Sequence, residues 1–90
     1  MILSSKSAGP AKETVARIVR ESISSILPNL SMEAISGDKS LKDHGADSVD
    51  RVEIILSIMN RLGIAEPMSN FSNIANIDEL VDYLCRAQQA

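Results

Sequence analysis

Apolar residues in the first third of the chain recur at intervals of three and four: Val15, Ile18, Val19, Ile23, Ile26, Leu27 and Leu30 share one side, while Arg17, Arg20, Glu21, Ser24 and Ser25 take the other. That period predicts one amphipathic helix. The stretch before it, residues 4–10, is small and polar, so residues 1–9 read as a flexible tail and Pro10 as a residue suited to a first helical position. Pro28 ends the helix, because the residue before a proline is driven out of helical geometry, and Leu30 falls just past the end. Over residues 31–47 the period disappears. Ser31, Ser36, Gly37, Asp38, Ser40, Gly45 and Asp47 surround scattered Ile35 and Leu41, the pattern of a long loop pinned to the core at a few points. In so small a chain such a loop often serves function.

Helical spacing returns after Asp47, which can cap a helix running from Ser48 to Leu62 with Asp50 as a second acid in its first turn and Gly63 as its stop. A short third helix is expected around Met68–Ser72, after Pro67. The last begins at Asn76, whose spacing to Glu79 makes a capping box, and buries Ile77, Leu80, Val81, Leu84 and Cys85. The fold class is therefore all-α, a small four-helix bundle with a long loop between helices one and two. No internal repeat is present.

The second helix is too apolar for one buried stripe: Val49, Val52, Ile54, Ile55, Leu56, Ile58, Met59 and Leu62 are eight apolar residues in fourteen positions. At about 100° per residue, Ile54, Ile55, Ile58 and Leu62 form one arc. Val49, Val52, Leu56 and Met59 form another, with Glu53 and Asn60 beside it. Three thin neighbours cannot cover every face, so one arc is expected at the surface as a partner site; the alternative is a central helix wrapped on all sides. Periodicity alone does not say which arc is outside.

Ninety residues leave room for a single small domain spanning 1–90, with one core. Aromatic residues make up only 2% of the chain, Phe71 and Tyr83, so aliphatic side chains must fill that core, which favours helices over a small sheet. Nine bases against twelve acids give a net charge of −3, and residues 21–90 alone hold five bases and eleven acids. Nucleic-acid binding is excluded on that balance, and basic partner surfaces are favoured. The single cysteine, Cys85, rules out an intrachain disulfide framework and reads as a small core residue; with His44 the lone histidine, no Cys/His metal cluster can form. Met1-Ile2-Leu3 is too short for a signal peptide and no apolar run reaches membrane length. A monomeric, cytoplasmic protein is expected.

Ser48 stands where the long loop enters the second helix, in Asp43-His44-Gly45-Ala46-Asp47-Ser48-Val49-Asp50. A phosphate esterified to a hydroxyl there would meet free backbone N–H groups and the positive end of the helix dipole. Taken alone, the residue reads first as an ordinary first-turn serine, since such serines are common. A hydrolase elbow would need glycines where Ala46 and Asp50 stand, and Gly45 falls where a calcium loop needs a ligand. His44 reads as a loop residue hydrogen-bonded to its neighbours.

Gly45-Ala46-Asp47-Ser48-Val49-Asp50, set between a long loop and an apolar-rich helix, resembles the acyl carrier protein family, and the likeness runs from about residue 11 through Ile77-Asp78-Glu79-Leu80-Val81-Asp82-Tyr83-Leu84. Asp47-Ser48-Val49 sits on that family's Asp-Ser-Leu motif. The resemblance implies that Ser48 accepts a phosphopantetheine arm from coenzyme A through a phosphopantetheinyl transferase, and that the arm's thiol carries acyl groups to partner enzymes. The chain itself would then be a carrier without catalytic activity. It also implies that the Ile54 arc is core and that Asp47, Val49, Asp50, Arg51, Val52, Glu53, Leu56 and Met59 make the partner face. Asp47 argues against a peptidyl carrier. Carriers of fatty-acid synthesis have an acidic patch where this chain reads Met59-Asn60-Arg61 and Met68-Ser69-Asn70-Phe71-Ser72-Asn73, so recognition here should lean on apolar shape.

Ala46 to Ile54, with Arg51 after the second aspartate, looks like the free-standing carriers of bacterial polyketide β-branching cassettes, and a start at Met1 without interdomain linkers agrees with that. Those carriers hold an acetyl group used by a hydroxymethylglutaryl synthase homologue. A general polyketide or fatty-acid carrier, or an unmodified helical adaptor, are the alternatives.

Overall fold

The computed structural model describes residues 12–89; the expected tail over residues 1–9 and the helix start at Pro10 lie outside them. The described residues are all-helical: α1 (Lys12–Ile26), α2 (Ser48–Leu62) and α3 (Ile77–Gln89), with single 3₁₀ turns at Met32–Ala34, Lys42–His44 and Met68–Phe71. Helix α1 packs against both α2 and α3. Val15, Val19 and Ile23 of α1 meet Ile54, Ile55 and Ile58 of α2 and Ile77, Leu80, Val81 and Leu84 of α3 in one buried cluster. Cys85 is half-buried at its edge, where burial pushes the thiol's pKa up and away from nucleophilic character.

Local signals set the ends of α2. The Asp50 N–H donates to Asp47 Oδ1 at 2.8 Å and the Asp47 N–H donates to Asp50 Oδ2 at 3.3 Å, a reciprocal box that satisfies two of the orphan donors of the first turn. At the other end Gly63 takes the left-handed conformation, φ 72°, open to glycine without steric cost, and the Ile64 N–H closes on the Met59 carbonyl at 3.1 Å. The start of α3 differs in one detail from the expected box. The Glu79 N–H donates to Asn76 Oδ1 at 2.9 Å, but the Glu79 carboxylate reaches back to the Ala75 N–H, 3.2 Å, one residue earlier than Asn76.

Where the sequence predicts a short third helix there is only the single 3₁₀ turn Met68–Phe71, so the described residues hold three α-helices and not the expected four. Pro67 before it offers no side-chain cap, and Ser69, Asn70, Ser72 and Asn73 compete for backbone groups, as the Ser72 hydroxyl does by donating to the Ser69 carbonyl at 2.7 Å. Packing holds it instead. Phe71 is buried and meets Tyr83 edge-to-face, with ring centroids 5.3 Å apart, while Asn70 donates to the Tyr83 oxygen at 3.0 Å and Tyr83 donates to Glu66.

The loop between α1 and α2 is tied down at three places. Ile35, Leu41 and Ala46 are buried. The first two N–H groups of α3 have no intrahelical partner and find loop carbonyls instead: Ile77 donates to Lys39 at 3.0 Å and Asp78 to Gly37 at 2.9 Å. A Cβ on Gly37 would meet the Asp78 carboxylate, which would have to swing aside to admit it. His44 closes the loop on itself, accepting the Ser36 N–H at Nε2, 2.9 Å, and donating from Nδ1 to the Ser40 carbonyl, 2.8 Å. Asp43 accepts the Ser40 N–H, which holds its carboxyl below the usual carboxylate range.

A further sequence expectation is corrected. Met59, expected on the exposed arc, is buried at 6% exposure. Helical geometry puts it about 40° from Ile55, at the border of the core arc, and the chain after Gly63 folds back over it, the Glu66 N–H lying 3.3 Å from its sulfur. The other three residues of that arc remain outside.

Ile54→Ala, Ile58→Ala or Met59→Ala should each cost roughly 2–5 kcal/mol in denaturant melts by leaving a cavity, and Leu56→Ala under about 1 kcal/mol. Asp47→Ala, which removes the cap, should cost about 1 kcal/mol. In ¹⁵N NMR, His44 should show the Nδ1–H tautomer, and His44→Ala should speed hydrogen exchange at Ser36. A protonated Nε2 in the neutral ring would contradict the loop closure described above.

Candidate functional site

Ser48 owes its position to the three residues before it. Gly45 ends the 3₁₀ turn in the left-handed conformation, φ 98°, and its N–H donates to the Lys42 carbonyl. Ala46 then drops into the core at 3% exposure, its N–H held by the Leu41 carbonyl at 3.1 Å. With Ala46 anchored inside, Asp47 and Ser48 emerge into solvent and the capping box turns the chain into α2. Ser48 is thus the first residue of the helix, exposed, with its hydroxyl clear of the core.

Four N–H groups start an α-helix without intrahelical partners. Those of Asp47 and Asp50 are taken by the box. Those of Ser48 and Val49 have no protein partner among the described residues. Arg51, one turn on and half-buried, donates from Nη2 to Ser48 Oγ at 3.4 Å. A phosphate ester on Ser48 would therefore meet two open N–H groups, the positive end of the helix dipole and a guanidinium. Opposing it are the carboxylates of Asp47 and Asp50, each engaged on the other's backbone N–H. The residues present fit a singly charged phosphodiester.

Beside Ser48 the outer face of α2 is apolar and wet: Val49 is 65% exposed, Val52 43% and Leu56 50%. Glu53 and Asn60 are exposed along the same side, and Asp50 is half-buried. Seven of the eight expected partner-face residues, Asp47, Val49, Asp50, Arg51, Val52, Glu53 and Leu56, thus reach the surface around Ser48, and Met59 does not. Arg61 is turned away toward α1, pairing with Glu21 at 2.6 Å and donating to the buried Ser22 hydroxyl at 3.4 Å. Sequence reasoning missed one feature, a cavity of about 50 Å³ between the loop, α2 and the start of α3, lined by Leu41, Ile55, Phe71, Ile74, Ile77 and Leu80 among others. Its walls come from segments far apart in the chain, so no local pattern announces it. Among the described residues no helix is long and apolar enough to cross a membrane, and no group of acidic, histidine or cysteine side chains could hold a metal ion.

Comparison with known proteins agrees with this geometry. The family described as "Phosphopantetheine attachment site" matches residues 17–84. A polyketide biosynthesis acyl carrier protein of Bacillus subtilis, AcpK, is 33% identical over 73 residues, 81% of this chain and 89% of that protein. The acyl carrier protein of Helicobacter acinonychis is 29% identical over 72 residues, 80% of this chain and 87% of its own. Among solved structures, a chain in the crystal structure of the curacin-pathway HMG synthase in complex with acetyl-donor ACP superposes with a TM-score of 0.78 at 34% identity, covering 86% of this chain and 99% of that one. The chain belongs to the phosphopantetheine-attachment family, as an acyl carrier protein whose prosthetic group is phosphopantetheine.

Proposed function

We propose that Ser48 carries the phosphopantetheine arm and that the protein is the discrete acetyl donor of a polyketide β-branching cassette, delivering acetyl groups to a hydroxymethylglutaryl synthase homologue. The observation that carries the donor reading is the 34% identity and 0.78 TM-score to a carrier-sized chain crystallised with such a synthase. Attachment at Ser48 is supported by its exposure on the first turn of α2, its open N–H neighbours and its place in Asp47-Ser48-Val49. When attached, the arm supplies a terminal thiol that holds acyl groups as thioesters. In this reading the Met68–Phe71 turn is the counterpart of the short third helix of the carrier bundle. The protein works as a cytoplasmic monomer, is loaded by a phosphopantetheinyl transferase, serves other enzymes of the polyketide pathway and leaves the catalysis to its partners.

The chain's own part is presentation. The capping box holds Ser48 at the head of a rigid helix, and Val49, Val52 and Leu56 offer a dehydratable surface next to it, the kind of apolar anchor on which binding energy concentrates. Asp47 and Glu53 supply rim charge. Further along, where a basic fatty-acid partner would look for acids, Asn60 is neutral, Met59 is buried, Arg61 is paired with Glu21, and Glu66 is engaged by Tyr83. Missing rim charges of this kind lower encounter rate and discriminate between partners more than they abolish binding.

Incubation with coenzyme A and a broad phosphopantetheinyl transferase should add one phosphopantetheine to the intact mass, and Ser48→Ala should keep its melting temperature and gain nothing. Modification persisting in that variant would falsify the assignment of Ser48. Acetyl-loaded protein should transfer to a hydroxymethylglutaryl synthase homologue and be used poorly by a fatty-acid ketosynthase, with Leu56→Ala slowing the first reaction. Equal turnover by both enzymes would make the protein a general carrier.

A further inference from the structure

We propose that Arg51 is a positioning residue for the arm: its guanidinium pairs with the phosphodiester on Ser48 and holds it on the flank of α2 away from the strip Val49, Val52 and Leu56. The inference rests on Ser48 as the attachment point and adds a role for a residue that the sequence suggested only as part of a partner face.

Arg51 Nη2 already lies 3.4 Å from Ser48 Oγ, three residues on and therefore on the adjacent ridge of the helix. Esterification would put a phosphorus on that oxygen and its two non-bridging oxygens one bond further, inside the reach of the same guanidinium. The planar fork of an arginine matches a pair of phosphate oxygens, which a lysine's point charge does not. Arg51 is also available. Of the two arginines of α2, Arg61 is held by Glu21, whereas Arg51 forms no salt bridge among the described residues. The Asp47 and Asp50 carboxylates, which would otherwise compete for it, face each other's backbone N–H.

Direction follows from helix geometry. Counting about 100° per residue from Ser48, Arg51 sits about 60° to one side, and Val52, Leu56 and Val49 sit about 40°, 80° and 100° to the other. A phosphodiester drawn toward Arg51 leaves the apolar strip uncovered, so that a partner can dock on it while the arm leads elsewhere.

The test uses the full-length chain loaded with phosphopantetheine, as wild type, Arg51→Gln and Arg51→Lys, checked by intact mass and melting temperature and compared by ³¹P NMR and arginine ¹⁵N–H spectra. In the wild type, loading should shift the Arg51 Nε–H resonance and slow its exchange with water, and raising the salt concentration should reverse both changes. The phosphorus resonance should shift and narrow in Arg51→Gln, with Arg51→Lys between the two. If the wild-type Arg51 signal is the same before and after loading, or the phosphorus resonance is the same in wild type and Arg51→Gln, the proposal is overturned. An unmoved phosphorus signal together with lost transfer to the synthase would make Arg51 a partner contact instead. Should the wild type gain no mass, attachment at this site fails, and the role of Arg51 fails with it; a normal mass gain with unmoved spectra sinks the role of Arg51 alone.

Discussion

Helix α2 carries apolar side chains on both of its faces, in a chain where only two other α-helices are described to cover it. One face must fill the core and the other must stay wet. Ile54, Ile55 and Ile58 take the inside, against the three buried apolar residues of α1 and the apolar face of α3. Val49, Val52 and Leu56 are left outside. An exposed strip of this kind costs solubility and contributes nothing to folding, and it makes physical sense on a protein whose work is to be bound by others. The rest of the molecule can be understood as what is needed to keep this helix oriented and its first turn accessible.

Orientation comes from the loop. Twenty residues between α1 and Asp47 would be a floppy connection if their own composition decided the matter. They are ordered because the first turn of α3 needs acceptors that α3 does not supply, and the carbonyls of Gly37 and Lys39 provide them. The imidazole of His44 then stitches Ser36 to Ser40, and Ala46 plugs the last residue before the cap into the core. The loop thereby transmits the position of α3 to the N-terminus of α2, so that a surface serine is held from below by buried contacts.

Charge at that terminus is balanced rather than uniformly favourable to an anion. Two aspartates stabilise the helix start through the capping box, and both would repel a phosphate. Their carboxylates are spent on backbone N–H groups, while the Ser48 and Val49 N–H groups and the Arg51 guanidinium remain for an ester on the serine. With the arm on Ser48 as proposed, cap and attachment chemistry would share a single turn by dividing its donors between them.

The limits of α2 were legible in the sequence to the residue, because an aspartate cap and a left-handed glycine act within four positions of the bond they satisfy. The same holds for the Asn76 cap, for the three α-helices, and for the Asp47-Ser48-Val49 motif that named the family. What needed the tertiary structure were the contacts between segments far apart. Met59 lies on the border between two arcs, and only the fold-back of residues 64–66 decided that it is core. Arg61 pairs with Glu21, forty residues earlier, which only the packing of α1 on α2 brings to it. The Met68–Phe71 segment has helical spacing, but its caps are poor and Phe71 on Tyr83 is what holds it, so it settles as a single 3₁₀ turn. Periodicity reports which residues share a side of a helix; which side meets the core, and what covers the residues at its border, depends on packing between elements, and that is written only in three dimensions.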